Sequence, residues 1–271
     1  PSNMPMTPDM DRVERLIREA AAVDILPRFK RLAASEVREK QPGDLVTVAD
    51  LAAERRLTRA LRELIPGSLV VGEEAVDQDP TILGNLAGKA PVWIIDPLDG
   101  TANFADGKPP FAMIVAFVVH GRTAAAWIHD PLGGETAMAA QGEGVWIGKR
   151  RLHVAAAAAP EQMRGAVYAR PGRPGIPPDL AERKKRLGAA IYRRCVGHEY
   201  LALARGETHF GLFTRLWPWD HAAGALIHGE AGGYNACLDG TPYRPTLTAG
   251  NFLLAPDAAS WRMLRDRFAA D

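Results

Sequence analysis

The sequence predicts a layered α/β fold, an α+β sandwich made of two unlike halves, residues 1–154 and 155–271. Three observations predict it. Apolar residues recur at helical spacing up to about residue 67, short apolar runs then follow at hairpin spacing, and strand-like and helix-like segments alternate after about residue 155. Because each helix and sheet must bury its apolar face, we expect two helices to cover the first sheet.

The first helix is predicted from Asp9 to about Glu39, and Pro27 is expected to kink or divide it because proline lacks a backbone donor. A second helix is predicted in "LVTVADLAAERRLTRALRELIPGS", closed by Pro66 and Gly67. Thr47 and Asp50 have the spacing of a capping box at its start.

The first half then continues with strands, which we expect to form an antiparallel six-stranded sheet. The predicted segments are "SLVVGEE", "APVWIID", "FAMIVAFVVHG", "TAAAWIHDP", "ETAMAAQGEG" and "GVWIGKRRLHV". In the second half, strands are predicted at "GAVYAR", "AIYRRC", "HFGLF", "YNACL" and "NFLLAP", with helices between and after them.

Composition excludes several classes of protein. The 33 Lys and Arg residues balance 32 Asp and Glu residues, so no overall charge indicates a nucleic-acid or membrane partner. The two cysteines lack the spacing of a zinc site or a disulfide framework, which fits a cytoplasmic protein. No apolar stretch reaches the length of a membrane span.

The segment "WIIDPLDGTANF" places two carboxylates after a buried strand. Asp96 is expected at the strand end, and Pro97 and Gly100 predict a sharp turn that brings Asp96 and Asp99 together. Thr101 is expected to begin a helix, whose free N–H groups attract phosphate. Carboxylates and a turn carbonyl such as that of Leu98 are ligands suited to Mg²⁺, although the same aspartates could simply cap a turn and a helix.

Further acids stand at similar places. Glu73 and Glu74 follow an apolar strand, Asp220 precedes a small-residue helix, and Asp50 begins another helix. Taken singly, each has a structural explanation, as a solvated loop, an N-cap or a capping box. Taken together, they predict a site for several cations and phosphoryl chemistry.

The motifs "LVTVAD", "GEE", "WIIDPLDGTANF" and "WDHAAGALIHGEAGG" occur in this order between about residues 44 and 233. The chain thereby resembles the inositol monophosphatase family, within the Mg²⁺-dependent, lithium-sensitive phosphatase superfamily that contains fructose-1,6-bisphosphatase. The resemblance implies the αβαβα fold of those phosphatases, hydrolysis of a small phosphate monoester, a homodimer, and two or three Mg²⁺ ions.

The resemblance also implies roles for individual residues. Metal ligands would be Glu73, Asp96, the Leu98 carbonyl, Asp99 and Asp220, with Glu74 beside them or on a third ion. Asp50 and Thr101, helped by Glu73, would orient and deprotonate the attacking water. The backbone N–H groups of Gly100 and Thr101 would bind the phosphate.

One departure affects the substrate. Phe213 stands where inositol-cleaving members have a glutamate that binds the sugar-alcohol hydroxyls, although Thr214 or Arg215 could replace it. The segment "CVGHEY" also departs from the family, so His198 and Glu199 receive no role. The alternatives are therefore a phosphatase for another substrate, such as 3′-phosphoadenosine 5′-phosphate or histidinol phosphate, and a catalytically silent binding or regulatory relative.

Overall fold

The computed structural model describes residues 6–270, which form five layers in the order helix, sheet, helix, sheet, helix. The predicted layered α/β fold is confirmed, in the αβαβα arrangement. The ends of the two predicted halves at residues 1–5 and 271 lie outside the described residues.

The first helix is shorter than predicted. Helix α1 spans Met10–Ala20 and continues as a π-helical turn, Ala21–Ile25, and a 3₁₀ turn, Leu26–Arg28. The prediction is wrong beyond Pro27, because proline cannot continue the hydrogen-bond ladder and Lys30 turns the chain with a left-handed φ of 62°. The residues that follow form strand β1, Val37–Gln41, instead of helix.

Strand β1 forms an antiparallel hairpin with β2, Asp44–Thr47, turning at Gly43, whose φ is 80°. Helix α2, Val48–Leu64, follows directly. The predicted capping box is confirmed: the Thr47 N–H donates to Asp50 Oδ2 at 2.8 Å, and the Thr47 hydroxyl oxygen accepts the Ala49 N–H at 3.1 Å. The box fixes the first turn of α2 and with it the position of Asp50.

The first sheet has seven described strands, in the order β3 to β9. Two short helices, α3 and α4, interrupt them; the bounds are β3 Leu69–Gly72, α3 Glu73–Gln78, β4 Val92–Asp99, α4 Thr101–Ala105, β5 Ala112–Val119, β6 Arg122–Asp130, β7 Glu135–Ala140, β8 Val145–Ile147 and β9 Arg150–Leu152. The prediction of six antiparallel strands is wrong in two respects. Gly148, with a φ of 56°, divides the last predicted segment into β8 and β9, and β3 runs parallel to β4.

Alternate residues of this sheet face two different layers of helix. Trp93 and Ile95 of β4 pack with α1 and α2, and the Trp93 ring lies 4.6 Å from that of Phe117. Ile94 and Ile114 face the opposite side. Strand β4 is buried on both faces, which explains its continuous apolar sequence before Asp96.

The second half has the predicted alternation of strand and helix. Its elements are β10 Arg164–Tyr168, α5 Leu180–Lys184, β11 Ala189–Ile191, α6 Val196–Ala204, β12 Phe210–Arg215, α7 Pro218–Glu230, β13 Tyr234–Cys237, β14 Ala249–Ala255 and α8 Ala258–Phe268. The strands form a mixed sheet in the order β11-β10-β12-β14-β13. Helices α6 and α7 lie between the two sheets, and α5 and α8 cover the outer face.

The boundary predicted near residue 155 falls between the last strand of the first sheet, which ends at Leu152, and the first strand of the second, which begins at Arg164. One buried cluster nevertheless includes Ile114 of the first sheet and Phe213 of the second, so the sheets share the central layer. The division into two domains stays a prediction. Among residues 6–270, no helix has the length and apolar character needed to cross a membrane.

Candidate metal centre and active-site cavity

The end of strand β4 carries the two central carboxylates. The predicted strand end at Asp96 is wrong, because β4 continues to Asp99. Its pairing with β5 is irregular there: Asp96 stands opposite Ile114 and Asp99 opposite Ala112, so the β4 strand has one extra residue. Such a bulge changes the direction of side chains and brings both carboxylates to the same cavity.

Asp99 is held from the second half of the chain. Its Oδ2 accepts the Gly197 N–H at 2.6 Å and lies 3.1 Å from the Cys195 thiol, which can donate to it. A Cβ at position 197 would lie 2.9 Å from the Cβ of Ala112, so glycine permits this close approach. Helix α6 therefore positions a carboxylate of the first sheet.

Asp220 completes an acidic cluster. It lies in the first turn of α7, as the third helical residue and not directly before the helix as predicted. One oxygen each of Asp96, Asp99 and Asp220 lies within 4.8 Å of the other two. Three motifs that are far apart in sequence thus supply neighbouring oxygens.

The electrostatics of this cluster suit a cation. Burial raises the pKa of Asp96, Asp99 and Asp220, and the neighbouring negative charges raise the pKa of Asp96 and Asp220 further. A divalent cation would remove both penalties, because it supplies the opposite charge to desolvated oxygens. The all-oxygen donor set fits a hard cation such as Mg²⁺.

Glu73 and Glu74 lie beside this cluster and contact a buried lysine. Lys40 Nζ lies 3.1 Å from Glu73 Oε1 and 3.2 Å from Glu74 Oε2, with its side chain only 3% exposed. Burial lowers the pKa of Lys40, but the nearby carboxylates outweigh this and raise it overall. The negative charge of Glu73 also contributes to raising the pKa of Asp96. Sequence reasoning missed Lys40, since a buried lysine leaves no periodic pattern.

A second missed residue, Glu54 of α2, fixes the two glutamates. Its carboxylate accepts the N–H groups of Glu74 and Ala75, each at 2.9 Å, and so caps α3. Gly72 cannot provide a side-chain cap, and a Cβ there would lie 2.5 Å from the Glu54 carboxyl carbon. Burial raises the pKa of Glu54 to about 7.

Asp50 and Thr101 form a hydrogen-bonded pair next to the acidic cluster. The Thr101 hydroxyl lies 3.0 Å from Asp50 Oδ1 and 2.8 Å from the Leu98 carbonyl, and its single proton is donated to one of them at a time. Burial raises the pKa of Asp50 to about 7, while hydrogen bonds from Thr47 and Thr101 act in the opposite direction. Asp50 can therefore accept a proton near neutral pH.

Gly100 sits between Asp99 and Thr101 in a left-handed conformation, with φ 83° and ψ 33°. A Cβ there would lie 2.9 Å from the Pro110 carbonyl oxygen. Glycine is therefore required by both the dihedral angles and the space. The turn places Gly100 and Thr101 on the wall of the cavity, and phosphate binding by their N–H groups stays a prediction.

The cavity has a volume of about 530 Å³ and opens between the two sheets. One side is formed by residues of the first half, including Lys40, Glu73, Asp96, Asp99 and Thr101. The other side includes Tyr168, Tyr192, Arg194, Arg215, Trp217 and Trp219. The sequence predicted site residues on the first side other than Lys40, and on the second side it predicted Asp220 and Arg215.

His198, Glu199 and Phe213 do not line the cavity. His198 Nε2 is 2.9 Å from the Phe111 carbonyl, and Glu199 is buried against Arg193 at 3.1 Å. Phe213 is also buried, and its ring stacks 5.6 Å from that of Tyr200. An aromatic residue at position 213 thus belongs to the core.

Comparison with known proteins agrees with the fold and the motifs. The sequence profile of the inositol monophosphatase family matches residues 9–271. Nus factor SuhB of Haemophilus influenzae is 32% identical, over 96% of this chain and 95% of that protein. The fructose-1,6-bisphosphatase/inositol-1-monophosphatase of Thermotoga maritima is 30% identical, over 72% of this chain and 73% of that protein.

Solved structures give the same result. The structure of the Thermotoga maritima IMPase superposes with a TM-score of 0.76 at 27% identity, covering 91% of this chain and 92% of that one. The extragenic suppressor protein SuhB of Bartonella henselae gives a TM-score of 0.76 at 25% identity, covering 94% and 97%. With the profile match extending over nearly the whole chain, the protein belongs to the inositol monophosphatase family.

Proposed function

We propose that the protein is a Mg²⁺-dependent phosphatase that hydrolyses a small phosphate monoester. The observation that carries the proposal is the acidic cluster, in which oxygens of Asp96, Asp99 and Asp220 approach within 4.8 Å in one cavity. Buried carboxylates repel one another unless a cation separates them. Membership of a phosphatase family supports the same chemistry.

The metal ligands in this proposal are Glu73, Asp96, the Leu98 carbonyl, Asp99 and Asp220, with Glu74 available to a further ion. When bound, two or three Mg²⁺ ions would lower the pKa of water and neutralise charge on the phosphate and leaving oxygen. Glu73 is paired with Lys40 at 3.1 Å. To bind a metal ion, its carboxylate would exchange this contact with the Lys40 ammonium group for a contact with the metal.

Asp50 and Thr101 move the proton. A water oxygen forms a bond to phosphorus as the bond from phosphorus to the alcohol oxygen breaks. The proton of that water passes to the Thr101 hydroxyl, whose own proton passes to Asp50 across 3.0 Å. The departing alkoxide takes a proton from solvent and Asp50 later returns its own, so the products are an alcohol and phosphate.

The turn at Gly100 binds the phosphate in this proposal. The backbone N–H groups of Gly100 and Thr101 lie at the start of α4, beside Asp99. Since α4 has only five residues, these local N–H groups and the metal ions hold the phosphate, and not the dipole of a long helix. The homodimer and the cytoplasmic location stay predictions.

A second candidate function is a catalytically silent regulatory protein. The observation that favours it is that the relative at 32% identity bears the name Nus factor. The Asp50–Thr101 pair favours catalysis, because it joins a hydroxyl on the cavity wall, beside the acidic cluster, to a carboxylate that can take up its proton.

The deciding experiment is Mg²⁺-dependent release of phosphate from p-nitrophenyl phosphate, inositol 1-phosphate, 3′-phosphoadenosine 5′-phosphate and histidinol phosphate. Hydrolysis that requires Mg²⁺ and falls roughly 10²–10³-fold in Asp96→Asn supports the phosphatase. Equal inertness of the wild type and Asp96→Asn, with every ester and with Mg²⁺ or Mn²⁺, would establish the silent protein.

A further inference from the structure

The part of the cavity wall that the second half of the chain contributes is rich in hydrogen-bond donors. The second half of the chain contributes one carboxylate to the described lining, Asp220, but two arginines, Arg194 and Arg215. Arginine has five N–H donors and no acceptor, and an indole has a donor only. Once Asp220 is assigned to the metal, this side needs a ligand that brings acceptors, and preferably negative charge.

Arg215 is held in place without an ion pair. Its carbonyl accepts the His221 Nε2–H at 2.8 Å, and its guanidinium carbon lies 5.7 Å from the centroid of Trp217. Trp217 in turn stacks on Trp219, with ring centroids 5.2 Å apart and an angle of 9°. Within residues 6–270 no carboxylate lies within 4.0 Å of this guanidinium, which lies on the cavity wall and whose charge acts on Asp220 from a greater distance. A metal ion bound to Asp220 would leave that charge available to an anion of the substrate.

Arg194 is held by a strained turn. Its φ of 56° is unfavourable for a residue with a side chain. Both neighbours are fixed by buried groups: the Arg193 carbonyl accepts Asn103 Nδ2 at 3.0 Å, the Arg193 N–H donates to Glu199 at 3.2 Å, and the Cys195 thiol contacts Asp99. Strain maintained by surrounding contacts is typical of functional positions.

The present partner of Arg194 is weak. Its guanidinium lies 3.6 Å from Asp106, and the two side chains are 48% and 53% exposed. An exposed ion pair of this kind contributes little and is readily exchanged for another anion. Two guanidinium groups, from different segments, are therefore available on the same wall.

We propose that the substrate is a phosphate monoester whose alcohol part carries a second acidic group, a carboxylate or another phosphate, bound by Arg194 and Arg215. This rests on the proposed function, since it names the substrate class of the same cavity. The phosphate to be cleaved lies at the acidic cluster, and the second anion lies against the arginines. A neutral polyol would leave these donors poorly matched.

Two matched pairs of esters test the proposal. Glycerol 2-phosphate and 2-phosphoglycerate differ by a carboxylate in place of a hydroxymethyl group. Phenyl phosphate and 4-carboxyphenyl phosphate add the same charge to an aromatic alcohol. We expect kcat/KM to be about tenfold or more higher for the acidic member of at least one pair, because a site built for a polar group rejects the analogue that lacks it.

Variants assign the preference to the arginines. Arg215→Gln and Arg194→Gln keep hydrogen-bonding capacity but remove charge, and each should lower the ratio of kcat/KM between acidic and neutral members towards one. Arg262→Gln, at an exposed position on α8, should leave that ratio unchanged. The ratio is informative because a general loss of activity affects both members equally.

Absence of any preference for the acidic member in both pairs would overturn the proposal, as would a preference that both variants retain. Should none of the esters be hydrolysed, the proposed function fails separately. Calorimetric binding of 2-phosphoglycerate and glycerol 2-phosphate then decides the anion site alone: tighter binding of the acid, lost in Arg215→Gln, supports it, and equal binding refutes it.

Discussion

The cavity has an acidic side, which carries Asp96 and Asp99, and an arginine side, which carries Arg194 and Arg215, and the two differ in how they are built. The acidic side uses short motifs in which backbone geometry places the carboxylates, such as the bulge of β4 and the capping box of α2. The arginine side uses single residues from separate segments, held by aromatic stacking and by buried polar contacts. The first kind of construction leaves a local signature in the sequence, and the second does not.

This difference also separates the two tasks of the cavity. Ligation of a cation and transfer of a proton need fixed distances, which rigid backbone elements provide. Recognition of the alcohol needs only complementary charge and shape, which a few side chains can change. We expect substitutions on the acidic side to affect turnover or metal binding, and those on the arginine side to affect the choice of substrate.

The largest effect is expected from Asp50→Asn. The variant keeps the shape of the capping box but loses the proton acceptor, so kcat should fall roughly 10²–10⁴-fold. Steady-state kinetics at saturating Mg²⁺ measures the loss. Asp257→Asn is the matched control, since Asp257 caps α8 by accepting the Ser260 N–H at 2.7 Å. Because asparagine caps a helix about as well as aspartate, both variants should keep nearly the stability of the wild type, but only Asp50→Asn should lose activity. Equal retention of activity would remove Asp50 from catalysis.

The next effect is expected from Lys40→Met. Removing the ammonium group leaves Glu73 and Glu74 without their shared partner, which should lower the free energy of unfolding by about 3 kcal/mol in the absence of metal. Mg²⁺ should recover part of this loss, because a cation replaces the missing charge. Urea unfolding with and without Mg²⁺ provides the measurement.

Lys185→Met is the control for Lys40. Lys185 lies 2.7 Å from Glu182, but both side chains are about 70% exposed, so its loss should be hard to detect. A Lys40→Met protein as stable as the control, with or without Mg²⁺, would show that the Lys40 ammonium group does not stabilise the protein by neutralising Glu73 and Glu74.

A smaller effect is expected from Cys195→Ala. The thiol donates to Asp99 Oδ2 at 3.1 Å and holds that carboxylate, so its loss should raise the half-saturating Mg²⁺ concentration about fivefold, equivalent to about 1 kcal/mol. Cys195→Ser retains a donor and should stay close to the wild type. Thermal unfolding over a Mg²⁺ titration measures this independently of activity. Cys237→Ala, at a buried position on β13, is the control, and the same shift in all three variants would contradict a positioning role.

The sequence predicted the fold class, most elements and the acidic side, because hydrophobic period and cap residues are local properties. It failed where tertiary contacts decide. Residues after Pro27 keep a helical pattern, yet Val37–Gln41 pair as a strand because β2 offers a partner across the turn at Gly43. The division of the last predicted strand at Gly148 depends on a single turn that apolar period does not detect.

In the cavity, the same limit applies to residues whose role depends on distant neighbours. Glu54 caps a helix that begins 19 positions later in the chain, and Lys40 neutralises glutamates more than 30 positions away. Neither contact has a fixed spacing that a motif could represent. Phe213 is a contrasting case, because it stands within a motif. Its identity predicted altered substrate specificity, but the structure places its ring in the core, and Arg215 is the residue on the cavity wall.

The smallest effect is expected from Trp217→Leu, which tests how the arginine side is organised. Loss of the indole removes the surface on which the Arg215 guanidinium lies, and a cation–π contact at such a site contributes about 0.5–1 kcal/mol. The ratio of kcat/KM between 2-phosphoglycerate and glycerol 2-phosphate should therefore fall about two- to fivefold, less than in Arg215→Gln. Trp146→Leu is the matched control, because Arg151 lies over Trp146 at the same 5.7 Å but outside the cavity. If Trp217→Leu lowers turnover of both esters equally, the indole supports the fold of the wall and not the orientation of the Arg215 guanidinium. Residues of the arginine side would then also affect turnover, and the two sides would not have separate tasks.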